Sequence, residues 1–322
     1  MARRWTPVHG TVCECEDFDA EVDAKAVYNA MKGLGTDEQT IYGILARRSY
    51  AQRQEIAEVY KTCHGSDIVE DISSEISGTL EMVLHALLTP PALYDARELN
   101  WAMAGAGTNE SCLIEILATR TNEQIKALVE AYETEFEEKL EEKIDSDIGG
   151  NLQRFLIALL QGNRDEDGDV DMDKVEDDAR ALLSASELKW GTDETEFISV
   201  LCLRNDRHLW RVFDEYKEIS GKDIEETIAD EMSGTLEEAM LAVVKSIKKT
   251  PAYFARKIRE AIQGVGTDER TLLRIIVCRS EIDLQTIKEV FEEEYEESLR
   301  SVIEGDVGGD FLSTLLLLCG EE

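Results

Sequence analysis

Met31-Lys-Gly-Leu-Gly-Thr-Asp-Glu38 is the stretch from which the rest of the chain can be read. It recurs as Met103-Ala-Gly-Ala-Gly-Thr-Asn-Glu110, Glu187-Leu-Lys-Trp-Gly-Thr-Asp-Glu194 and Ile262-Gln-Gly-Val-Gly-Thr-Asp-Glu269. Thirteen residues after the Gly of each Gly-Thr step stands an arginine: Arg48, Arg120, Arg204, Arg279. Forty residues after the same Gly stands a carboxylate: Glu75, Asp147, Glu231, Asp306. A glycine follows three residues later, at 78, 150, 234 and 309. Four copies with the same three offsets define four structural repeats.

Each repeat reads as helical. Thr36 is placed to cap a helix, with Asp37 and Glu38 in its first turn and Gln39 completing a capping box. Ile41, Ile44, Leu45 and Arg48 then share one helix face. A short helix around Ile56–Tyr60, one near Asp67–Ile72 and one after Gly78 follow, and Thr89-Pro90-Pro91 separates the last from the next repeat. With the helix leading into Met31, a repeat holds about five helices. Tyr60, Tyr132, Tyr216 and Phe291, 25 residues past each Gly-Thr glycine, are expected in the core. Alternating strand patterns are absent, so the expected fold class is all-α. The boundaries are a tail at 1–17, repeats at 18–89 and 90–161, an acidic linker at 162–173, and repeats at 174–247 and 248–320. The tail is expected to be loosely ordered, and the linker to be a solvated connector that splits the repeats two and two.

Composition narrows the function. The 322 residues carry 34 Lys and Arg against 69 Asp and Glu, a net charge of −35. With no basic stripe, nucleic acid is excluded as a partner. Seven scattered cysteines form no C-x-x-C pair, which points to reduced thiols and a cytoplasmic setting. No apolar leader and no run of roughly 20 apolar residues is present. Peripheral attachment is therefore expected, and unconventional export stays open. The acids Asp165, Asp167, Asp169, Asp171, Asp173 and Glu176 fall at EF-hand spacing, but Val170 stands where the turn needs glycine. No P-loop, no metal-spaced histidines and no nucleophile elbow exist, so no enzyme is expected.

The repeated loop itself carries the chemistry. Gly-x-Gly allows a sharp backbone turn whose carbonyls are hard oxygen ligands suited to calcium. In the first repeat these are the carbonyls of Met31, Gly33 and Gly35, with Glu75 as a distant bidentate carboxylate. About two of the usual 6–8 positions stay open, and the single charge implies a weak site, toward roughly 10⁻⁴–10⁻³ M. A phosphate oxygen in the open positions would tighten it, and calcium would tighten lipid binding by the same factor. A chain of charge −35 could then bind an acidic membrane. The residues between the loop glycines, Leu34, Ala106, Trp190 and Val265, are apolar and placed for membrane contact.

These motifs resemble the annexin family over residues 18 to 320. Ala51-Gln-Arg-Gln-Glu-Ile56, Leu241-Ala-Val-Val-Lys-Ser246 and Leu315-Leu-Leu-Leu-Cys-Gly320 resemble one branch of it. The resemblance implies a right-handed superhelical, slightly curved disc of four five-helix repeats with calcium loops on the convex face. It implies several Ca²⁺ per chain and calcium-dependent binding to phosphatidylserine-rich membranes, with trimer or lattice assembly there. It carries the site onto Met103, Gly105, Gly107 and Asp147 in the second repeat, and onto Ile262, Gly264, Gly266 and Asp306 in the fourth. In the third, Lys189 replaces the first glycine, and the implied set is Ser186, Lys189, Gly191 and Glu231. Thr36 and Glu38 are implied secondary ligands. Asp147-Ile-Gly-Gly and Asp306-Val-Gly-Gly lack hydroxyls common in the family, so these two carboxylates are expected to be less well held. A polar channel is implied at Asp95, Glu98, Glu115, Arg120 and Arg274; a buried charge network is the preferred reading of it. Two alternatives accompany the membrane-binding function: a calcium-regulated ion-conducting protein, and a calcium-independent helical-repeat adaptor.

Overall fold

The computed structural model describes residues 8–165, 169–186, 194–264 and 266–320, which form nineteen helices and no strand. The first repeat is α1 (Ala20–Ala30), α2 (Glu38–Leu45), α3 (Tyr50–His64), α4 (Ile68–Glu75) and α5 (Thr79–Leu88). Asp19, Asp37, Ser49 and Asp67 accept backbone N–H groups at the starts of the first four. Each therefore satisfies donors a helix leaves orphaned. Val27, Ile41, Leu45, Ile56, Tyr60, Ile72 and Leu84 have no accessible surface and form this repeat's core. The second repeat is α6 (Pro91–Ala102), α7 (Glu110–Thr119), α8 (Asn122–Phe136), α9 (Leu140–Asp147) and α10 (Gly150–Leu160). The third is α11 (Met172–Ser186), α12 (Glu194–Leu203), α13 (Asp206–Ser220), α14 (Ile224–Glu231) and the first part of α15 (Gly234–Ile262). The fourth takes the rest of α15 with α16 (Glu269–Arg279), α17 (Leu284–Tyr295), α18 (Leu299–Asp306) and α19 (Gly309–Leu318). α15 is two helices run together, broken at Lys249 (φ −164°, ψ 86°) just before Pro251, which cannot donate a helical hydrogen bond.

The repeats group by contact into two compact units, residues 1–90 with 254–322, and residues 91–253. The expected two-and-two split at the linker is therefore corrected: the first and fourth repeats form one unit, the second and third the other. The described parts of the linker, residues 162–165 and 169–173, lie inside the second unit, and each is hydrogen-bonded. Asp165 N–H donates to the Leu203 carbonyl (3.0 Å), and the Arg164 guanidinium donates to the Arg204 carbonyl (2.8 Å). Asp171 accepts the Asp173 N–H (3.1 Å) and so starts α11, a capping role in place of an EF-hand one; Asp167 lies outside the described residues.

The tail also differs from expectation. Thr11 and Val12 N–H groups donate to the Ser280 carbonyl (2.7 and 3.0 Å), and Gln285 N–H donates to the His9 carbonyl (3.0 Å). Gln52 pairs with both backbone groups of Cys15 (3.0 and 2.9 Å). Residues 8–15 thus strap the fourth repeat to the first within one unit. Gly10 lies so close to this strap's partner that an added Cβ would sit 2.5 Å from the Ser280 carbonyl oxygen. In Cys13-Glu-Cys15 the backbone of Cys15 makes these bonds. All seven cysteines are free thiols, and burial pushes those of Cys202 and Cys319 up to about 12.

The arginine offset now has a cause. Arg48 grips Asp23 with two hydrogen bonds (2.6 and 3.1 Å), Arg120 grips Asp95 (2.7 and 2.8 Å) and Arg204 grips Asp178 (2.7 and 2.9 Å). Each joins the turn after the second helix of a repeat to its first helix with a bidentate pair. The corresponding position before Arg279 is Phe254; Arg279 lies over that ring (4.6 Å) and pairs instead with Asp283 (2.7 Å). The four aromatics are buried as expected. The tyrosine hydroxyls find partners in Asp71 (2.6 Å), Asn100 (3.2 Å) and Thr227 (3.0 Å).

Candidate functional site

The loop between α1 and α2 shows how eight residues make a site. Gly33 and Gly35 have φ of +107° and +90°, a region L side chains rarely adopt. An Asp37 N–H to Ala30 carbonyl bond (2.8 Å) closes the loop, and Asp37 Oδ1 caps α2 through Thr40 N–H (3.1 Å). The N-cap is therefore Asp37, and the expected Thr36 cap is corrected. Thr36 is released for another partner: its hydroxyl donates to Glu75 Oε2 (3.2 Å). That bond draws the carboxylate from the end of α4, forty residues on, against the loop. Glu38 opens α2 beside them, half-buried. Leu34 is fully exposed, at 108% of its reference area.

The second loop repeats the backbone. Gly105 and Gly107 have φ of +94° and +102°, Asn109 N–H donates to the Ala102 carbonyl (2.8 Å), and Asn109 Oδ1 accepts Cys112 N–H (3.1 Å). Met103, Gly105, Gly107, Lys143 and Asp147 line one hollow of about 430 Å³, so the forty-residue gap closes here too. Ala106 is exposed. Asp147 Oδ1 accepts the Ser146 hydroxyl (3.1 Å) and lies 3.5 Å from Lys143 Nζ. Burial and the charges of Glu138 and Asp147 push Tyr132 up to about 12.

The fourth loop keeps the closure, Asp268 N–H to the Ala261 carbonyl (2.8 Å), and the cap, Asp268 Oδ1 to Thr271 N–H (3.0 Å). Gly266 has φ of +93°, whereas Gly264 is outside the left-handed region. The Thr267 hydroxyl donates to Asp306, as Thr36 does to Glu75. Asp306 is met by the Thr267 hydroxyl, and Asp147 by Ser146 and Lys143. In the third repeat, Ser186 ends α11 and Glu231 ends α14, while Lys189, Trp190 and Gly191 lie outside the described residues, as does Val265 of the fourth. Gly78, Gly150, Gly234 and Gly309 share φ of +65° to +76° and open the last helix of each repeat just past the acid.

The donor set is oxygen throughout. Among the described residues no hydrogen bond ends on the carbonyls of Met31, Gly33, Gly35, Met103, Gly105 or Gly107. No group of three or more His, Cys, Asp or Glu with metal-binding geometry occurs among them either. A site of carbonyls plus one carboxylate fits a hard cation such as calcium and suits soft or imidazole-seeking metals poorly.

Four of the five residues expected to line a channel are buried, and Arg120 is half-buried. In the second unit, Asp95, Glu98 and Glu115 are 5%, 3% and 1% exposed, and Asp95 is held by Arg120 in the same clamp that the first and third repeats use. Arg274, in the other unit, is 1% exposed and donates to the Thr271 hydroxyl (3.2 Å).

Fold and loops together define an all-helical protein of four repeats, with carbonyl and carboxylate oxygens gathered at its glycine turns. A model of the annexin family matches residues 22–87, 94–159, 177–243 and 253–318. The chain is 50% identical over 315 residues to annexin A5 of Bos taurus, covering 98% of both, and 49% identical over 311 residues to annexin A4 of Mus musculus. Among solved structures it superposes on annexin III with a TM-score of 0.96 (44% identity, all of both chains). It superposes on chicken annexin V in complex with Zn²⁺ with a TM-score of 0.92 (49% identity, 98% of this chain and all of that one). On a calcium-bound annexin (Sm)1 the TM-score is 0.88 (32% identity, 98% and 93%). The chain belongs to the annexin family, whose members bind calcium and phospholipid membranes. No helix among the described residues is long and apolar enough to cross a membrane.

Proposed function

We propose that this chain is a non-enzymatic protein that attaches, when calcium rises, to anionic, phosphatidylserine-rich membranes. It resides in the cytoplasm, takes several Ca²⁺ and assembles further on the lipid surface. The support is the closed gap in two loops, where Thr36 holds Glu75 and Thr267 holds Asp306 beside a glycine turn. Met31, Gly33 and Gly35 would supply carbonyl oxygens and Glu75 a carboxylate; the second and fourth loops would use Met103, Gly105, Gly107 and Asp147, and Ile262, Gly264, Gly266 and Asp306. The third would use Ser186, Lys189, Gly191 and Glu231, and Thr36 with Glu38 would form a secondary position. Calcium, when bound, supplies the positive charge that lets this acidic chain approach lipid phosphates. Leu34 stands exposed at the first apex, where an apolar side chain reaches the headgroup region; Ala106, Trp190 and Val265 take the same part in the other loops.

Replacing Glu75, Asp147, Glu231 and Asp306 together by alanine should abolish calcium-driven co-sedimentation with phosphatidylserine vesicles. Unchanged co-sedimentation would refute the assignment. Ion conduction gains no support from the Asp95–Arg120 pair, since a clamp of the same form recurs as Asp23–Arg48 and Asp178–Arg204.

A further inference from the structure

We propose that Lys143 is a tethered cation that competes with calcium for the second loop, so that this loop fills at higher calcium than the first and fourth. The inference rests on the calcium reading above. Lys143 Nζ lies 3.5 Å from Asp147 Oδ1, and both side chains line the hollow beside Gly105 and Gly107. The pair is half-buried, with side chains 26% and 20% exposed, so water screens it less than a free surface pair. Helix geometry brings the two together, one turn apart on α9, in the weaker of the two orders, so the pair adds little to the helix itself.

The position is specific to this repeat. Four residues before the acid stand Asp71 in the first repeat, Thr227 in the third and Val302 in the fourth, none of them cationic. Asp71 accepts the hydroxyls of Tyr60 and Ser66 (2.6 Å each), and Thr227 accepts that of Tyr216 (3.0 Å), so these positions stabilise the repeat interior. Among the described residues, Asp147 of the second loop has an ammonium paired with it, whereas Glu75 of the first and Asp306 of the fourth are met by threonine hydroxyls. A divalent ion sharing Asp147 must either repel the ammonium at a few ångströms or displace it and forfeit the ion pair. At an anionic lipid surface the displaced ammonium gains a phosphate partner, which lowers that cost. Calcium uptake by the second loop therefore depends more on lipid than uptake by the first or the fourth.

The test is a calorimetric calcium titration of the full chain without lipid, for wild type, Lys143→Met, Lys143→Arg, Asp147→Asn and Lys143→Met with Asp147→Asn. Lys143→Met should tighten one site by about 3- to 10-fold, and Lys143→Arg should leave it within about twofold. The gain should vanish on the Asp147→Asn background. An unchanged or weakened site in Lys143→Met, or a gain that survives Asp147→Asn, overturns the assignment while leaving calcium binding intact. If wild type itself takes up no calcium, the calcium reading falls and this one with it.

Discussion

The first and second loops share a backbone and differ in what touches the acid. In both, two glycines take φ near +100°, an Asp or Asn caps the following helix, and a 2.8 Å bond closes the turn. In the first, a threonine hydroxyl holds Glu75; in the second, Asp147 is met by a serine and a lysine. The difference teaches that the turn is fixed by its glycines, its closing bond and its Asp or Asn cap, whatever meets the acid. What the carboxylate offers a cation is then set by a side chain elsewhere. The fourth loop, with Thr267 on Asp306, sides with the first.

The largest break in the comparison is to remove the carboxylate from one loop at a time. Glu75→Ala should weaken the first site by more than about 100-fold, since loss of a mere outer-shell partner already costs 10–100-fold. Calcium titration reads this, and the second site should not move. Next comes the hydroxyl. Thr36→Val and Thr267→Val should each weaken their own site by about 10-fold, whereas Thr108→Val should change the second site less. Equal losses in all three would mean that threonine acts on the turn and not on the acid. The shared backbone can be probed at Gly35 and Gly107. An added Cβ meets nothing within 4 Å at either, so alanine is penalised only through φ. Each substitution should cost a similar amount, about 1–2 kcal/mol, read by thermal unfolding.

The smallest expected effect lies away from the loops, in the clamp of the third repeat. Burial opposes the charge on Asp178, but hydrogen bonds from Arg204 and His208 outweigh it and hold the carboxyl below its usual range. A carboxylate depressed on folding stabilises above its unfolded value, near 4, and loses that contribution as pH falls through the lower folded value. Asp178→Asn should cost about 1 kcal/mol near neutrality and flatten the acid limb of the stability curve below about pH 4.

Much of this was legible in the sequence, because the glycines, arginines and acids recur at offsets that helices and turns impose. The five helices, the buried aromatics and the Gly-x-Gly turns follow from that periodicity. Thr36 was misread as a cap because Thr36 and Asp37 are adjacent and both are good caps; only the fold shows that Asp37 takes the N–H and Thr36 the carboxylate. Lys143 was passed over because a Lys at i and an Asp at i+4 look like any surface pair until the end of α9 is seen to face the second loop. The partners of the arginines were missed since Asp23, Asp95 and Asp178 lie upstream of the motif that announced the repeat. The pairing of the first repeat with the fourth rests on α2 and α5 packing against α16 and α19, with residues 8–15 as a strap, contacts between residues far apart in sequence that no local pattern encodes.

Co-sedimentation of the wild-type chain with vesicles, across a calcium series and with phosphatidylserine present or replaced by a neutral lipid, tests calcium bridging most directly. The chain should pellet only when both calcium and the anionic lipid are present, and excess chelator should release it. Attachment that survives the chelator, or that ignores the charge of the lipid, would contradict the account.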